Sequence, residues 1–288
     1  MPGATTTRID ETAFAKINLD LRICGRRDDG YHDLDSLVVF AEIGDHLTFE
    51  PGDGLALKID GPFAEGLPTD DRNLVIRAAT ALARMVDRDM NARITLKKNL
   101  PVASGLGGGS ADAAATLRGL CRLWGLTLAL ADLAPLARRL GADVPVCLGS
   151  TSARMQAIGD QLTPIGSSAG SPIILVNPGT PISTPDVFRG LTVHSGARSS
   201  GSIDQTSPLQ RLPADGVNDL EAPAIRLAPV IGTALDALRA QPGCVFARMS
   251  GSGATCFGLF DHSAERDRAV SALSASHPGW WVRGTEIR

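Results

Sequence analysis

The sequence predicts an α+β fold in two parts, and three observations carry that reading. Strand-like and helix-like runs mix without the strict strand–helix–strand rhythm of a doubly wound sheet. A glycine-rich loop, Pro101 to Ser110, joins a strand-like run to a helix-like one. Around residues 150–170 the composition turns toward Ser, Gly and Thr, which places a boundary between an N-terminal domain, 1–166, and a C-terminal domain, 167–288. The 288 residues suffice for two ordinary domains.

Taken in order, Ala13 to Gly25 alternates apolar and polar residues, with Lys16, Asn18 and Asp20 between Phe14, Ile17, Leu19, Leu21 and Ile23, and reads as a strand. A polar turn, Arg26 to Gly30, leads through Tyr31-His32 into a second strand-like run ending Leu37-Val38-Val39-Phe40. Asp45 to Glu50 and Gly54 to Asp60 read as further strands. Asn73 to Met85 has helical spacing. Ala92 to Lys98 reads as a strand, and Ala111 to Trp124 as a helix with Ala115, Leu117, Leu120, Leu123 and Trp124 as packing positions. Leu130 to Leu140 is a helix ended by Gly141, with Asp143-Val144-Pro145 directly after it. Beyond the boundary, Ser171 to Asn177 reads as a buried strand, 195–213 as a surface loop, and Pro223 to Ala240 as helix broken at Pro229. Ala247 to Phe260 is strand, glycine loop and strand; Ala264 to Ser274 is a helix; Trp280 to Glu286 is a last strand.

Strand, glycine loop and helix N-terminus form an arrangement that binds phosphate. Glycines let backbone N–H groups approach an anion, and the first turn of a helix offers unpaired donors with partial positive charge. Four glycines and Ser110 occupy positions 105–110, more than a helix cap needs. The loop is not a Walker A sequence, because it lacks that motif's lysine, and it is not a dinucleotide loop, because no acidic residue closes a second strand at the required distance.

The composition narrows the remaining classes. Hydrophobic residues make up 43% and charged residues 20% of the chain, as in a globular protein. A net charge of -3 with no long basic run argues against nucleic acid or an anionic membrane as partner. The five cysteines are scattered with no Cys-x-x-Cys pair, so they read as thiols rather than as a disulfide frame or zinc site. No apolar run reaches membrane-spanning length and Met1 to Glu11 has no apolar leader core, which points to the cytoplasm.

Four polar clusters are candidates for chemistry: Lys16 with Asn18, Tyr31 with His32, Asp143, and the two glycine loops, the second at Gly251-Ser252-Gly253. Phosphoryl transfer needs cradled phosphates, a cation against the developing charge and an oriented acceptor hydroxyl. Lys16 can supply the cation from another strand, and Asp143 can accept the hydroxyl proton. Each also has a plainer reading. A lysine in an alternating strand is commonly solvated, an aspartate after a helix is commonly a turn residue, and a Gly-Ser-Gly run also suits a hairpin. His32 has no second His or Cys at ligand spacing, so a metal site is not indicated.

Taken together, these segments resemble the GHMP kinase superfamily. The residues that carry the resemblance are Ala15-Lys16-Ile17-Asn18-Leu19, Arg27 to His32, Leu100-Pro101 with Gly105 to Ala114, Gly141 to Pro145, Asn177-Pro178-Gly179 with Ser183-Thr184-Pro185 and Phe188, Asn218 to Glu221, and Ser250 to Ala254. The resemblance implies a ribosomal-S5-domain-2-like N-terminal half, a ferredoxin-like C-terminal half and an active site in the cleft between them. It implies an ATP-dependent small-molecule kinase whose acceptor is a cytidylated sugar alcohol of isoprenoid precursor synthesis, with no obligate protein partner. Homoserine or mevalonate kinases, and a non-catalytic nucleotide-binding regulator, are the alternatives on the same fold. ATP phosphates would lie on Pro101, Val102, Ala103, Ser104, Gly105, Leu106, Gly107, Gly108, Gly109, Ser110 and Ala111, with Asn73 and Lys98 near the adenine and Ser110 available to Mg²⁺. Cytosine would lie between Tyr31 and Phe188 with His32 at its edge. Lys16, Asn18 and Asp143 would surround the acceptor hydroxyl, with Thr184 and the loop Gly251, Ser252 and Gly253 close by. The chain departs from the family pattern where Val102-Ala103-Ser104 replaces a more glycine- or alanine-rich entry, at Ala111, at Ser150-Thr151 in place of a Gly-Gly pair, and at Asp160.

Overall fold

A computed structural model describes residues 7–28, 30–191 and 216–288. The expected surface loop over 195–213 lies outside the described residues. The chain forms two compact units. Met1–Ala15, Gly44–Leu100 and Gly108–Gly149 make the first; Lys16–Ile43, Pro101–Gly107 and Ser150–Arg288 make the second. The units interleave along the chain, whereas the composition boundary at 166/167 cuts it once. Two long strands, β1 (Ile9–Arg26) and β2 (His32–Glu50), contribute residues to both.

In the first unit the end of β2 pairs antiparallel with β4 (Ala92–Lys97), and β3 (Leu55–Asp60) pairs parallel with β4. A parallel pair needs a crossover, here α1 (Leu74–Met85). α1 buries Val75, Ala78, Ala79 and Leu82, one stripe at helical spacing. Alternation on the strands buries Leu47, Phe49, Ile94 and Leu96. Helix α2 (Gly108–Leu123) is rich in alanine and carries Gly119 against the Phe49 ring, where a Cβ would collide with the aromatic edge. α3 (Leu130–Leu140) buries Leu133, Leu136, Ala137 and Leu140.

In the second unit the start of β2 pairs with β5 (Ala153–Ala157), and β5 with β6 (Gln161–Pro164). A separate antiparallel sheet runs β10–β7–β9–β8, from β7 (Pro172–Asn177), β8 (Cys244–Met249), β9 (Cys256–Phe260) and β10 (Trp281–Glu286). Between β7 and β8 come α5 (Thr184–Arg189), α6 (Glu221–Leu227) and α7 (Val230–Arg239); α8 (Ser263–Ser276) lies between β9 and β10. Two strand–helix–strand arms with the sheet order fourth, first, third, second make this the ferredoxin-like half. Its core joins Ile174 and Val176 of β7 to Ile231, Leu235 and Leu238 of α7 and Leu273 of α8.

Three elements differ from the sequence reading. The two strands expected over 31–40 and 45–50 are one strand, β2. Gly44 keeps it continuous, because a Cβ there would strike the Ala13 carbonyl. A short helix, α4 (Val144–Gly149), follows Asp143, with Pro145 in the first turn, where its missing N–H does no harm, and Val144 to Leu148 buried. The polar stretch after Ser150 contains the β5–β6 hairpin, whose Ala153 and Met155 are buried. The five cysteines are free thiols, as expected.

Candidate active site

The first seven residues of the glycine loop belong to the second unit, where they meet β1 and the second glycine loop. The Lys16 amide donates to the Leu106 carbonyl at 2.9 Å. Gly105 has φ +78°, and its Cα faces the Ser250 carbonyl so closely that any Cβ would overlap it. Only glycine fits there. A Cβ on Gly107 would lie 3.2 Å from Lys16 Cε, so the lysine stem runs along the loop. Lys16 is 4% exposed. The cation that the loop lacks in its own sequence is therefore brought beside it by a neighbouring strand.

The second glycine loop braces the first. Ser250 Oγ donates to the Gly105 carbonyl at 2.9 Å and accepts from the Asn18 amide at 3.1 Å. The Thr255 amide donates to the Ser104 carbonyl at 3.0 Å. The brace is itself held by the stretch Asn218 to Glu221. Asn218 Nδ2 donates to the Met249 and Gly251 carbonyls, both at 2.8 Å, and Glu221 accepts from the Met249 amide at 2.9 Å. Asp219 accepts from the Ile23 amide of β1 at 2.8 Å. Sequence reasoning gave Ser250 and the stretch Asn218 to Glu221 only a place in the resemblance.

Asn18 Nδ2 donates to Ser36 Oγ at 2.7 Å, leaving its Oδ1 buried with no hydrogen-bond partner. Thr184 and Ser252 share a hydroxyl–hydroxyl hydrogen bond of 2.7 Å, so two expected substrate residues do meet. The His32 and Phe188 rings lie 5.1 Å apart at 36°. Tyr31, next to His32, is 61% exposed. Burial, with help from Arg26, pushes the His32 imidazole below its ordinary value and favours the neutral ring. β2 is held near this end by Arg154 of β5, which grips Asp35 at 2.8 and 2.5 Å. Ala103, at the loop entry, has φ +50°, and Ser150 has φ +45°.

The rest of the expected set lies in the first unit. Gly108, Gly109 and Ser110 are not loop but the first turn of α2, so their amides fall among the helix's unpaired donors. Asn73 is the N-cap of α1; its Oδ1 accepts from Val75 N at 2.9 Å and its Nδ2 donates to the Pro68 carbonyl at 2.8 Å. Asp143 is half-buried just before α4, its carbonyl accepting from the Cys147 amide at 3.3 Å. Lys98, expected near the adenine, is buried with Nζ 2.5 Å from Asp45 Oδ2 and 2.6 Å from Asp112 Oδ2. Burial, outweighing the pull of Lys98, and the like charge of Asp45 push the Asp112 carboxyl up to about 7. Among the described residues no cluster of His, Cys, Asp and Glu could hold a metal by itself.

The family models described as GHMP kinases N terminal domain and GHMP kinases C terminal match residues 73–151 and 195–279. A 4-diphosphocytidyl-2-C-methyl-D-erythritol kinase from Ruegeria pomeroyi is 52% identical, covering 95% of this chain and 97% of its own length. One from Rhodopseudomonas palustris is 47% identical, covering 99% of each. A crystal structure of 4-(cytidine 5'-diphospho)-2C-methyl-D-erythritol kinase is 32% identical with TM-score 0.78, covering 97% of this chain and 99% of that one. A homoserine kinase from Cytophaga hutchinsonii, 18% identical with TM-score 0.78, shares the fold.

Proposed function

The chain belongs to the 4-diphosphocytidyl-2-C-methyl-D-erythritol kinase family of GHMP kinases, and we propose on that premise that it moves the γ-phosphoryl group of ATP to the 2-hydroxyl of the cytidylated alcohol. It is a small-molecule kinase. The observation that carries the proposal is Lys16 lying along a glycine loop that has no lysine of its own, with that loop locked by Ser250 and Thr255.

In this reading the loop and the first turn of α2 cradle the phosphates, since both present amides and the helix end carries partial positive charge. Lys16 stabilises the charge that spreads over the phosphoryl oxygens. Asp143 accepts the proton of the attacking hydroxyl as its oxygen bonds to the γ-phosphorus and the bond to the ADP oxygen breaks. Mg²⁺ fits this donor set as a phosphate-held ion. It keeps waters and takes few protein ligands, and Ser110 in the first turn of α2 would be one, shielding the phosphate charge. Tyr31 and Phe188 supply flat faces for the cytosine, and His32, neutral near pH 7, supplies a hydrogen bond to its edge. Thr184, Asn18 and the Gly251–Gly253 loop line the alcohol. We place the reaction in the cytoplasm, on a small molecule, with no nucleic acid, membrane or obligate protein partner.

Proton-coupled ³¹P spectra of the product test the site of transfer. The 2-carbon bears no hydrogen, so a 2-phosphate gives a singlet; a triplet or doublet would place the phosphate on another hydroxyl and overturn the assignment. For Asp143→Asn we expect kcat to fall on the order of 10²- to 10⁴-fold, with ATP affinity kept. Near-normal turnover would remove Asp143 as base.

A further inference from the structure

Asp45, Lys98 and Asp112 form a buried cluster of one ammonium and two carboxylates. Each belongs to a different segment. Asp45 is on β2, Lys98 follows β4 at the entry to the glycine loop, and Asp112 is on α2 at its exit. Asp45 Oδ1 accepts from the amides of Asn99 and Leu100 at 2.6 and 2.8 Å, which fixes the bend from strand to loop. Its Oδ2 accepts from Lys98 Nζ, and the same ammonium reaches Asp112 Oδ2, one helical turn beyond Gly108. Gly108 packs directly on this centre: a Cβ there would lie 3.1 Å from Lys98 Nζ and 3.5 Å from Asp45 Oδ2. One end of the loop, Leu100, is thus bonded to the carboxylate that Lys98 holds, and the other, Gly108, packs against the same ammonium. Asp112 Oδ1 is buried with no hydrogen-bond partner.

Such a cluster is a poor way to gain stability. Apolar side chains of similar volume often hold a core as well or better than buried ions. What it does supply is a fixed distance between two backbone segments. We propose that the Asp45–Lys98–Asp112 cluster positions the two ends of the glycine loop and so sets the spacing of the amides that hold the ATP phosphates. The proposal rests on the reading of that loop as the phosphate site. Lys98 and Asp112 are positioning residues here: they act through Leu100 and Gly108.

The test measures ATP affinity, the KM of the alcohol, kcat and melting temperature for Lys98→Met, Lys98→Arg, Asp112→Asn and Gly107→Val. Lys98→Met should weaken ATP on the order of tenfold to a hundredfold, with the KM of the alcohol within about twofold of the parent. Lys98→Arg, still able to bridge two carboxylates, should restore most of the loss. If Lys98→Met does not fold, the pair Lys98→Arg and Asp112→Asn decides, with Asp112→Asn expected to weaken ATP alone while Lys98→Arg stays near the parent. A fall in melting temperature with ATP affinity unchanged in every foldable variant would overturn the proposal and leave the cluster structural. An equal loss for ATP and alcohol would do the same. Gly107→Val separates the two claims. If it abolishes ATP binding while the cluster variants do not affect it, the positioning role fails alone. If it leaves ATP binding intact, the placement of the phosphates fails, and the positioning role with it.

Discussion

Ala103 and Ser150 show how single residues reveal what the local backbone demands. Both have left-handed φ, at +50° and +45°. A side chain there carries strain that glycine does not. Ala103→Gly should therefore raise stability by about 1 kcal/mol, read from denaturant midpoints at unchanged slope; an equal-sized loss would mean that the strain is absent. Asp112 makes a different demand. Its folded-state value of about 7 stands above the ordinary 3.8, because burial disfavours its charge. Between those two values the native protein holds a proton that the unfolded chain has released. Its contribution to stability is then largest near pH 4, falls as pH rises toward 7 and levels off above. The groups facing it are Lys98 and Asp45. Asp112→Asn should flatten that slope in urea melts across pH 4–8; an unchanged slope would assign it to other groups.

The brace between the two glycine loops belongs to the scale of elements. Ser250 joins β1 at Asn18 to the first loop at Gly105 through one hydroxyl. Ser250→Ala leaves a buried amide and carbonyl short of that partner, which costs about 1–3 kcal/mol, and it should loosen the loop and weaken ATP. Unchanged ATP affinity with lowered stability would confine the brace to folding. The sequence made much at this scale legible. The loop, its strand and its helix stand out because their chemistry is local: glycines in a row, alternation before them, alanine and leucine spacing after. The strands β7 to β10 were readable from their apolar runs and turn residues for the same reason, while the ferredoxin-like half they form came only with the resemblance. The brace was not. Asn18 and Ser250 are 232 positions apart, and nothing in either neighbourhood signals the other. The Lys98 cluster was hidden in another way. Lys97 and Lys98 look alike in sequence, yet Lys97 is exposed and Lys98 is buried, because successive side chains leave the chain on opposite sides. α4 was missed because a proline at its second position reads as a break unless the first turn is recognised.

On the scale of the whole molecule, the units are assembled from interleaved stretches, so expected functional residues from distant parts of the chain fall into the same unit. Lys16, the loop 101–107, Thr184 and the loop 250–254 all lie in the second unit, while Ser110, Lys98 and Asp143 lie in the first. Near-complete coverage by relatives that are about half identical means that the resemblance extends across all these stretches, not only the glycine loop. In the proposed reading, Tyr31, His32 and Phe188 separate the cytidylated alcohol from other alcohols used on this fold. A site built to hydrogen-bond and stack a base rejects molecules that lack one by on the order of 10³-fold or more. The most direct measurement is ADP release from Mg²⁺-ATP with 4-diphosphocytidyl-2-C-methyl-D-erythritol, beside homoserine and mevalonate at equal concentration. The account predicts turnover with the cytidylated alcohol and none above background with the other two. Comparable turnover with homoserine or mevalonate, or none with the cytidylated alcohol while ATP binds, would contradict it.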